Sequence, residues 1–286
     1  MRLCRFAPDA SSDVRVGLIT TSDTLVDLTD AGVYRMQDLL ERADLAEELL
    51  RLARAGLEER PLDGVQLLTP VESQEVWAAG VTYLRSKQAR MEESEFSADV
   101  YDRVYDAARP ELFFKSLPHK VVSPGDAVGI RRDARWNVPE PELALVINAA
   151  GRIVGFTIGN DMSSRDIEGE NVLYLPQAKI YARSCAVGPW IVVGAGEDDA
   201  RAWTIDLEIW RDGKQVFAGE TRAGQIKRPF SELVEYLFRS QAFPNGVVLL
   251  TGAGVIPPDA FTLAPDDRVR ITISGVGTLE NPVALV

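Results

Sequence analysis

Histidine, cysteine and long apolar runs are scarce in this 286-residue sequence, and each scarcity excludes a class of protein. With one histidine, His119, and two cysteines, Cys4 and Cys185, the chain lacks the ligands of a typical zinc site and the pairs of a disulfide framework. Its apolar runs fall well short of the roughly 20 residues that span a bilayer, and residues 1–13 lack the apolar core of a signal peptide. We therefore expect a protein of the reducing cytoplasm, with both cysteines as packed thiols.

Basic residues are outnumbered by acidic ones, 31 Lys and Arg against 43 Asp and Glu, which gives a net charge of −12. A nucleic-acid partner is not expected, because phosphate contacts need clustered Lys and Arg. An anionic small molecule remains compatible with this charge, since one bound metal ion and a few basic side chains reverse the local field. The apolar content of 46% and the charged content of 26% are ordinary for a globular enzyme.

Two glutamates, Glu140 and Glu142, stand at the start of the apolar run Leu143–Ile147. Residues i and i+2 of a strand point to the same face, so both carboxylates are predicted to project together. Asp161 follows a second strand-like run, residues 153–158, and a Gly-Asn pair. Three acidic oxygens that converge in this way suit a hard divalent cation such as Mg²⁺ or Ca²⁺. Taken alone, Glu-x-Glu is more often a solvated strand edge.

Short strands and turns dominate the chain after residue 121, which favours a β-rich mixed α/β fold over a doubly wound sheet. We predict a small N-terminal α/β domain over residues 1–70 and a larger domain over residues 71–286. Leucines at a spacing near 3.6 residues predict one helix over residues 36–55, and Ser231 is the predicted N-cap of a later helix. The sequence contains no GxGxxG and no GxxxxGK[ST], so no nucleotide-binding loop is predicted.

Six segments, in this order, resemble the fumarylacetoacetate hydrolase superfamily. They are Phe113-Phe114-Lys115, Ser123-Pro124-Gly125-Asp126, Glu140-Pro141-Glu142-Leu143-Ala144, the run from Gly155 to Asp166, Leu175-Pro176-Gln177-Ala178-Lys179, and Thr251-Gly252-Ala253-Gly254. The resemblance covers roughly residues 70–286 and implies a β-roll catalytic domain. It also implies one Mg²⁺ or Ca²⁺ per subunit, held by Glu140, Glu142 and Asp161, a 2-oxo acid substrate, and a homodimer or higher homo-oligomer.

One loop departs from the hydrolases of this family, which carry G-x-N-Y-x-x-H there. In this sequence Thr82 stands in place of the asparagine, and Ser86 stands in place of the histidine that activates water. Serine is not a general base near neutral pH. The pattern is more similar to the branch that dehydrates 2-keto-3-deoxy sugar acids, which forms 2,5-dioxopentanoate from a pentonate such as 2-keto-3-deoxy-arabinonate. A C–C hydrolase of 2,4-diketo acids or acylpyruvates is the alternative, and a non-catalytic 2-oxo acid-binding protein is a third interpretation.

The resemblance to the dehydratase branch implies that the protein is a hydro-lyase whose reaction passes through a metal-stabilised enolate. Lys179 is the predicted base for the C3 proton, and Glu111 is the predicted acid for the departing C4 hydroxyl. A Schiff base between Lys179 and the 2-oxo group is the alternative, which a carboxylate cluster disfavours because a metal already supplies the electron sink. The predicted substrate-binding residues are Thr82, Arg85, Ser86, Lys115, Thr251 and Gly252.

Overall fold

A computed structural model of the chain describes residues 1–9, 12–21, 24–83 and 104–286. Its strands fall into three sheets and are numbered here in chain order. They are β1 Arg2–Ala7, β2 Arg15–Ile19, β3 Thr24–Asp27, β4 Glu59–Pro61, β5 Gln66–Leu68, β6 Glu75–Gly80, β7 Glu111–Ser116, β8 Val128–Ile130, β9 Asn137–Val138, β10 Pro141–Ile147, β11 Ile153–Asp161, β12 Ser163–Ser164, β13 Cys185–Val192, β14 Thr204–Arg211, β15 Lys214–Arg222, β16 Val247–Leu250, β17 Arg268–Ile273 and β18 Gly277–Leu285.

The largest sheet has eleven strands in the order β4-β3-β2-β1-β13-β11-β10-β16-β6-β7, and β5 pairs with β1. Its pairings are antiparallel except for β16 with β6. A five-stranded sheet, β15-β14-β17-β18-β8, packs against it, and β12 pairs with β9. Inward-facing apolar residues of both sheets, such as Leu145, Phe156, Leu207 and Ile271, form the main core. The prediction of a β-rich mixed α/β fold is confirmed.

The N-terminal segment shares the large sheet, because β1 pairs with β13 through Arg2 opposite Val192 and Leu3 opposite Ile191. Two helices cover this part of the sheet and bury a separate leucine-rich cluster. The segment just after residue 70 also contacts this part, since the Glu72 carboxylate accepts the backbone N–H groups of Met36 and Gln37 at 3.0 and 2.9 Å. The division of the chain between residues 70 and 71 stays a prediction.

Six α-helices lie wholly within the described ranges: α1 Met36–Leu40, α2 Leu45–Ala53, α3 Arg165–Glu170, α4 Leu175–Lys179, α5 Glu197–Arg201 and α6 Phe230–Phe238. The prediction of one helix over residues 36–55 is wrong. Residues 41–44 are not helical and separate α1 from α2, although the leucine spacing continues across them. Ser231 is not the N-cap of α6, a position that Pro229 occupies. Within the described parts of the chain, no helix is long and apolar enough to cross a bilayer.

Five neighbouring strands of the large sheet bring the functional segments to one end. The strands β10 and β7 begin at this end, whereas β11, β16 and β6 finish there, because of the antiparallel and parallel pairings between them. The residues that follow β6 and β16, and those that open β10 and β7, therefore meet around the last residue of β11. This topology, which joins residues up to 169 positions apart, builds the site described next.

Candidate active site

Three buried carboxylates form the centre of the site. Glu140 immediately precedes β10, Glu142 is the second residue of β10, and Asp161 is the last residue of β11. The N–H of Asp161 donates to the carbonyl of Glu140 at 3.0 Å, which fixes the two chain segments side by side. One carboxylate oxygen from each residue lies within 4.8 Å of the other two, and each side chain is almost fully buried. Together they can hold a divalent cation.

The electrostatics of the triad support that capacity. Burial, followed by the neighbouring charges of Asp161 and Glu140, raises the pKa of Glu142 well above its usual value. A hydrogen bond from the backbone N–H of Gly252 and the charge of Lys179 act in the opposite direction. Like-charged carboxylates in a desolvated site repel each other. A hard divalent cation bound by these oxygen ligands would relieve the repulsion, so the residues present fit Mg²⁺ or Ca²⁺.

Two buried lysines surround Asp161. Lys179, the last residue of α4, donates from Nζ to Glu140 Oε2 at 2.9 Å, to Asp161 Oδ2 at 2.9 Å and to Ser163 Oγ at 2.6 Å. Lys115 pairs with Asp161 Oδ1 at 2.5 Å, and it also donates to the carbonyls of Met162 and Lys179. The ammonium group of Lys115 thus faces three protein oxygens, and its contact with the centre runs through Asp161.

A small cavity opens onto the carboxylates. Besides the triad, its lining includes Ala79, Gly80, Val81, Phe113, Arg165, Gly252, Ala253 and Ile256. Glu111 opens β7 directly opposite Gly80, and its carboxylate occupies the space that a Cβ at position 80 would take. The glycine therefore allows the carboxylate of Glu111 to pack against Gly80, which lines the cavity.

The remaining predicted residues fall into two groups. Thr82 and Thr251 are buried beside the triad, and each hydroxyl donates to a backbone carbonyl, Thr82 to Thr251 at 2.6 Å and Thr251 to Leu143 at 2.8 Å. The N–H of Gly252 donates to Glu142 Oε2 at 2.5 Å. Arg85 and Ser86 lie outside the described residues, so their predicted contacts with substrate stay predictions.

Sequence reasoning gave no role to two side chains that contact the triad. Arg165, at the start of α3, donates from Nη2 to Glu140 Oε1 at 2.7 Å and is 2% exposed. The hydroxyl of Ser163 donates to the carbonyl of Asp161 at 3.0 Å, and it accepts from Lys179 as given above. The rule that i and i+2 share a strand face, applied to Asp161, would have found Ser163. Nothing local indicated the Arg165 contact, which spans 25 residues.

His119 and Cys4 take no part in this centre, whereas Cys185 lies opposite Asp161 in the pairing of β13 with β11. His119 sits in an exposed turn, Pro118–Lys120. Cys4 and Cys185 are free, fully buried thiols, and burial raises the pKa of each to about 12. The nucleophilic form of cysteine is the thiolate. Neither cysteine is therefore suited to nucleophilic catalysis.

Comparison with known proteins agrees with this geometry. The model of the fumarylacetoacetate (FAA) hydrolase C-terminal domain matches residues 75–284. The chain is 45% identical, over 92% of its length and 93% of the relative, to a probable 2-keto-3-deoxyxylonate dehydratase of Haloferax volcanii. It is 40% identical to the 2-dehydro-3-deoxy-D-arabinonate dehydratase of Saccharolobus solfataricus, over 78% of this chain and 76% of that one.

A solved structure extends the comparison to three dimensions. This is a 2-keto-3-deoxy-D-arabinonate dehydratase complexed with magnesium and 2,5-dioxopentanoate, which superposes with a TM-score of 0.82 at 32% identity, over 100% of this chain and 99% of that one. The fold, the carboxylate centre and these matches place the chain in the fumarylacetoacetate hydrolase family.

Proposed function

We propose that this chain is a metal-dependent hydro-lyase that dehydrates a 2-keto-3-deoxy sugar acid, a pentonate such as 2-keto-3-deoxy-arabinonate, to 2,5-dioxopentanoate. The observation that carries the proposal is the buried centre in which Lys179 lies among Glu140, Asp161 and Ser163. Relatives 40–45% identical to the chain are named as dehydratases of such acids, which supports the same reaction class. They do not favour a C–C hydrolase.

The cofactor is Mg²⁺ or Ca²⁺, one per subunit, with Glu140, Glu142 and Asp161 as its protein ligands. When bound, the ion supplies Lewis-acid stabilisation of the negative charge that develops on the 2-oxo oxygen as the C3 proton leaves. The guanidinium of Arg165 holds Glu140 from the other side of the carboxylate, and Lys115 does the same for Asp161. Such outer partners orient ligands and fix their charge.

Lys179 and Glu111 divide the proton transfers. After Nζ has given up one of the three protons that it donates in the structure, Lys179 takes a proton from C3. The C3–C4 bond becomes a double bond, the C4–O bond breaks, and the hydroxyl departs as water with a proton from Glu111. A proton then moves from C5 to C3, which gives an enol with a double bond between C4 and C5, and transfer of the enol hydroxyl proton to C4 completes 2,5-dioxopentanoate. The carboxylate of Glu111 packs against Gly80, which lines the cavity, and this supports a role at the leaving group rather than at the cation.

Substrate contacts complete the proposal. Arg85 and Ser86 are proposed to bind the sugar hydroxyls, and the segment Thr251-Gly252 is proposed to face the substrate carboxylate from beside Glu142. Thr82 and Lys115 support the site indirectly, since their hydrogen-bond donors are directed at protein oxygens and not at the cavity.

We also propose that the protein is a cytoplasmic homodimer or higher homo-oligomer. Size-exclusion chromatography with light scattering tests the oligomeric state. The two free, buried thiols are consistent with a reducing compartment.

Product analysis separates the proposed reaction from its alternatives. The protein is incubated with Mg²⁺ and either a 2-keto-3-deoxy-pentonate or a 2,4-diketo-3-deoxy acid, and the products are identified by NMR. Formation of 2,5-dioxopentanoate without loss of carbon is expected from the first compound. Release of pyruvate from the second, with no turnover of the first, would establish the hydrolase instead.

Borohydride added during turnover is expected to leave Lys179 unmodified, whereas a covalent adduct would establish a Schiff base.

A further inference from the structure

One peptide unit beside the triad is hydrogen-bonded at both of its ends. The Thr82 hydroxyl donates to the carbonyl of Thr251 at 2.6 Å, and the N–H of Gly252, at the other end of the same peptide bond, donates to Glu142 Oε2 at 2.5 Å. Thr82 is 1% exposed, so its hydroxyl is shielded from water. A hydroxyl has one proton to donate, and that proton is directed at Thr251.

Thr82 and Gly252 also occupy adjoining space. Gly252 has a φ of +97°, a backbone conformation that L side chains rarely adopt, and a Cβ at this position would collide with the Thr82 hydroxyl. Because glycine has little preference between positive and negative φ, the peptide that precedes it is inexpensive to rotate. Rotation would turn the Thr251 carbonyl toward Glu142 and remove the N–H that the carboxylate accepts. The Thr82 hydroxyl opposes that rotation.

The two residues that hold the peptide are themselves fixed. The carbonyl of Thr82 accepts the N–H of Lys227 at 3.0 Å. Thr251 is tied to Leu143, the residue after Glu142, by both its N–H and its hydroxyl, at 3.0 and 2.8 Å. Two hydrogen bonds link Thr82 to Glu142 through the Thr251–Gly252 peptide. Only the one donated by the Thr82 hydroxyl comes from a side chain that can be changed without disturbing the sheet.

We propose that Thr82 is a positioning residue, which holds the Thr251–Gly252 peptide so that its N–H fixes the direction of the Glu142 carboxylate. With Oε2 engaged by the peptide, Oε1 is left to face the cation. The inference rests on the proposed role of Glu142 as a metal ligand, and it gives Thr82 a task that does not require contact with substrate. Loss of an outer partner of a metal ligand typically weakens metal affinity by about 10–100-fold.

The test is Mg²⁺ affinity of the full-length apo protein without substrate, measured by titration calorimetry, for Thr82→Val and Thr82→Ser. Valine keeps the shape and removes the hydroxyl, so we expect affinity about 10–100-fold weaker than wild type. Serine keeps the hydroxyl and is expected to stay within about threefold of wild type. With saturating Mg²⁺, the KM of Thr82→Val is expected to return toward the wild-type value. If the valine variant does not fold, Thr82→Ala removes the same hydroxyl without added bulk and carries the same expectation.

The outcomes separate this inference from the proposed function. Unchanged Mg²⁺ affinity in Thr82→Val with a raised KM would overturn the inference and return Thr82 to direct substrate binding. Absence of Mg²⁺ binding by the wild-type protein would overturn it as well. Thr82-dependent Mg²⁺ binding in a protein that does not dehydrate sugar acids would support the positioning role and overturn the proposed reaction alone.

Discussion

Lys179 Nζ lies 2.9 Å from Asp161 Oδ2, and the two residues reach this contact from the ends of a helix and a strand 18 residues apart. The other oxygen of the same carboxylate pairs with Lys115. One aspartate thus holds two buried ammonium groups, and one of them also contacts Glu140. The proposed base and two of the proposed metal ligands therefore form a single centre, and a change to one of them is expected to alter the others.

The pKa of Glu142 makes metal binding sensitive to pH. Its carboxyl must lose a proton to bind a cation, and burial with its acidic neighbours raises the pKa, so protons compete with the metal. We expect Mg²⁺ affinity to weaken progressively as the pH is lowered toward and below this raised pKa. Titration calorimetry at several pH values measures this. Glu142→Gln serves as the control, with weaker binding and a flatter pH dependence; a wild-type affinity that does not change with pH would contradict the account.

Gly80 tests the placement of Glu111. A methyl group at position 80 overlaps the Glu111 carboxylate, so Gly80→Ala displaces the proposed acid. We expect kcat to fall about 100-fold, since a small misplacement of a catalytic group has an effect of this size. Gly64→Ala is the matched control, because a Cβ there meets nothing closer than 3.9 Å. In the Glu111→Gln background, Gly80→Ala is expected to lower kcat no further. Full additivity of the two changes would show that Gly80 acts elsewhere.

The cysteines provide a prediction about reactivity. Because burial raises the pKa of Cys4 and Cys185 to about 12, both remain protonated thiols at pH 8. A thiol reagent such as 5,5′-dithiobis(2-nitrobenzoic acid) is expected to leave the native protein unmodified at that pH and to titrate both cysteines after denaturation. Rapid modification of the native protein, with loss of activity, would contradict both the burial and the view that no thiol takes part in catalysis.

Local patterns predicted part of this site and missed the rest for a physical reason. Glu140, Glu142 and Asp161 were recognisable because the two-residue period of a strand and an antiparallel pair of neighbours bring them together. The contact between Gly252 and Glu142 depends on β16 lying next to β10, a pairing that no local spacing encodes. The break between α1 and α2 was missed because leucine periodicity measures which face is apolar and not whether the backbone is continuous.

The fold class was more accessible than the sheet order. Frequent turns and short apolar runs are sufficient to indicate a β-rich fold, and this was confirmed. The parallel pairing of β16 with β6 joins residues as far apart in sequence as Glu75 and Val247, and such long-range pairings depend on packing. It is this pairing that carries Gly80 and Thr82 to the carboxylates.

The central claim is that Lys179 removes the C3 proton and that Glu111 acts at the leaving group. Its most direct test is proton exchange at C3 of 2-oxopentanoate, which has no C4 hydroxyl to lose, followed by ¹H NMR in D₂O with Mg²⁺. We predict exchange by the wild-type protein, exchange within about threefold of that rate by Glu111→Gln, and exchange about 100-fold slower or more by Lys179→Met. The claim would be contradicted by wild-type rates of exchange in Lys179→Met, or by loss of exchange in Glu111→Gln alone.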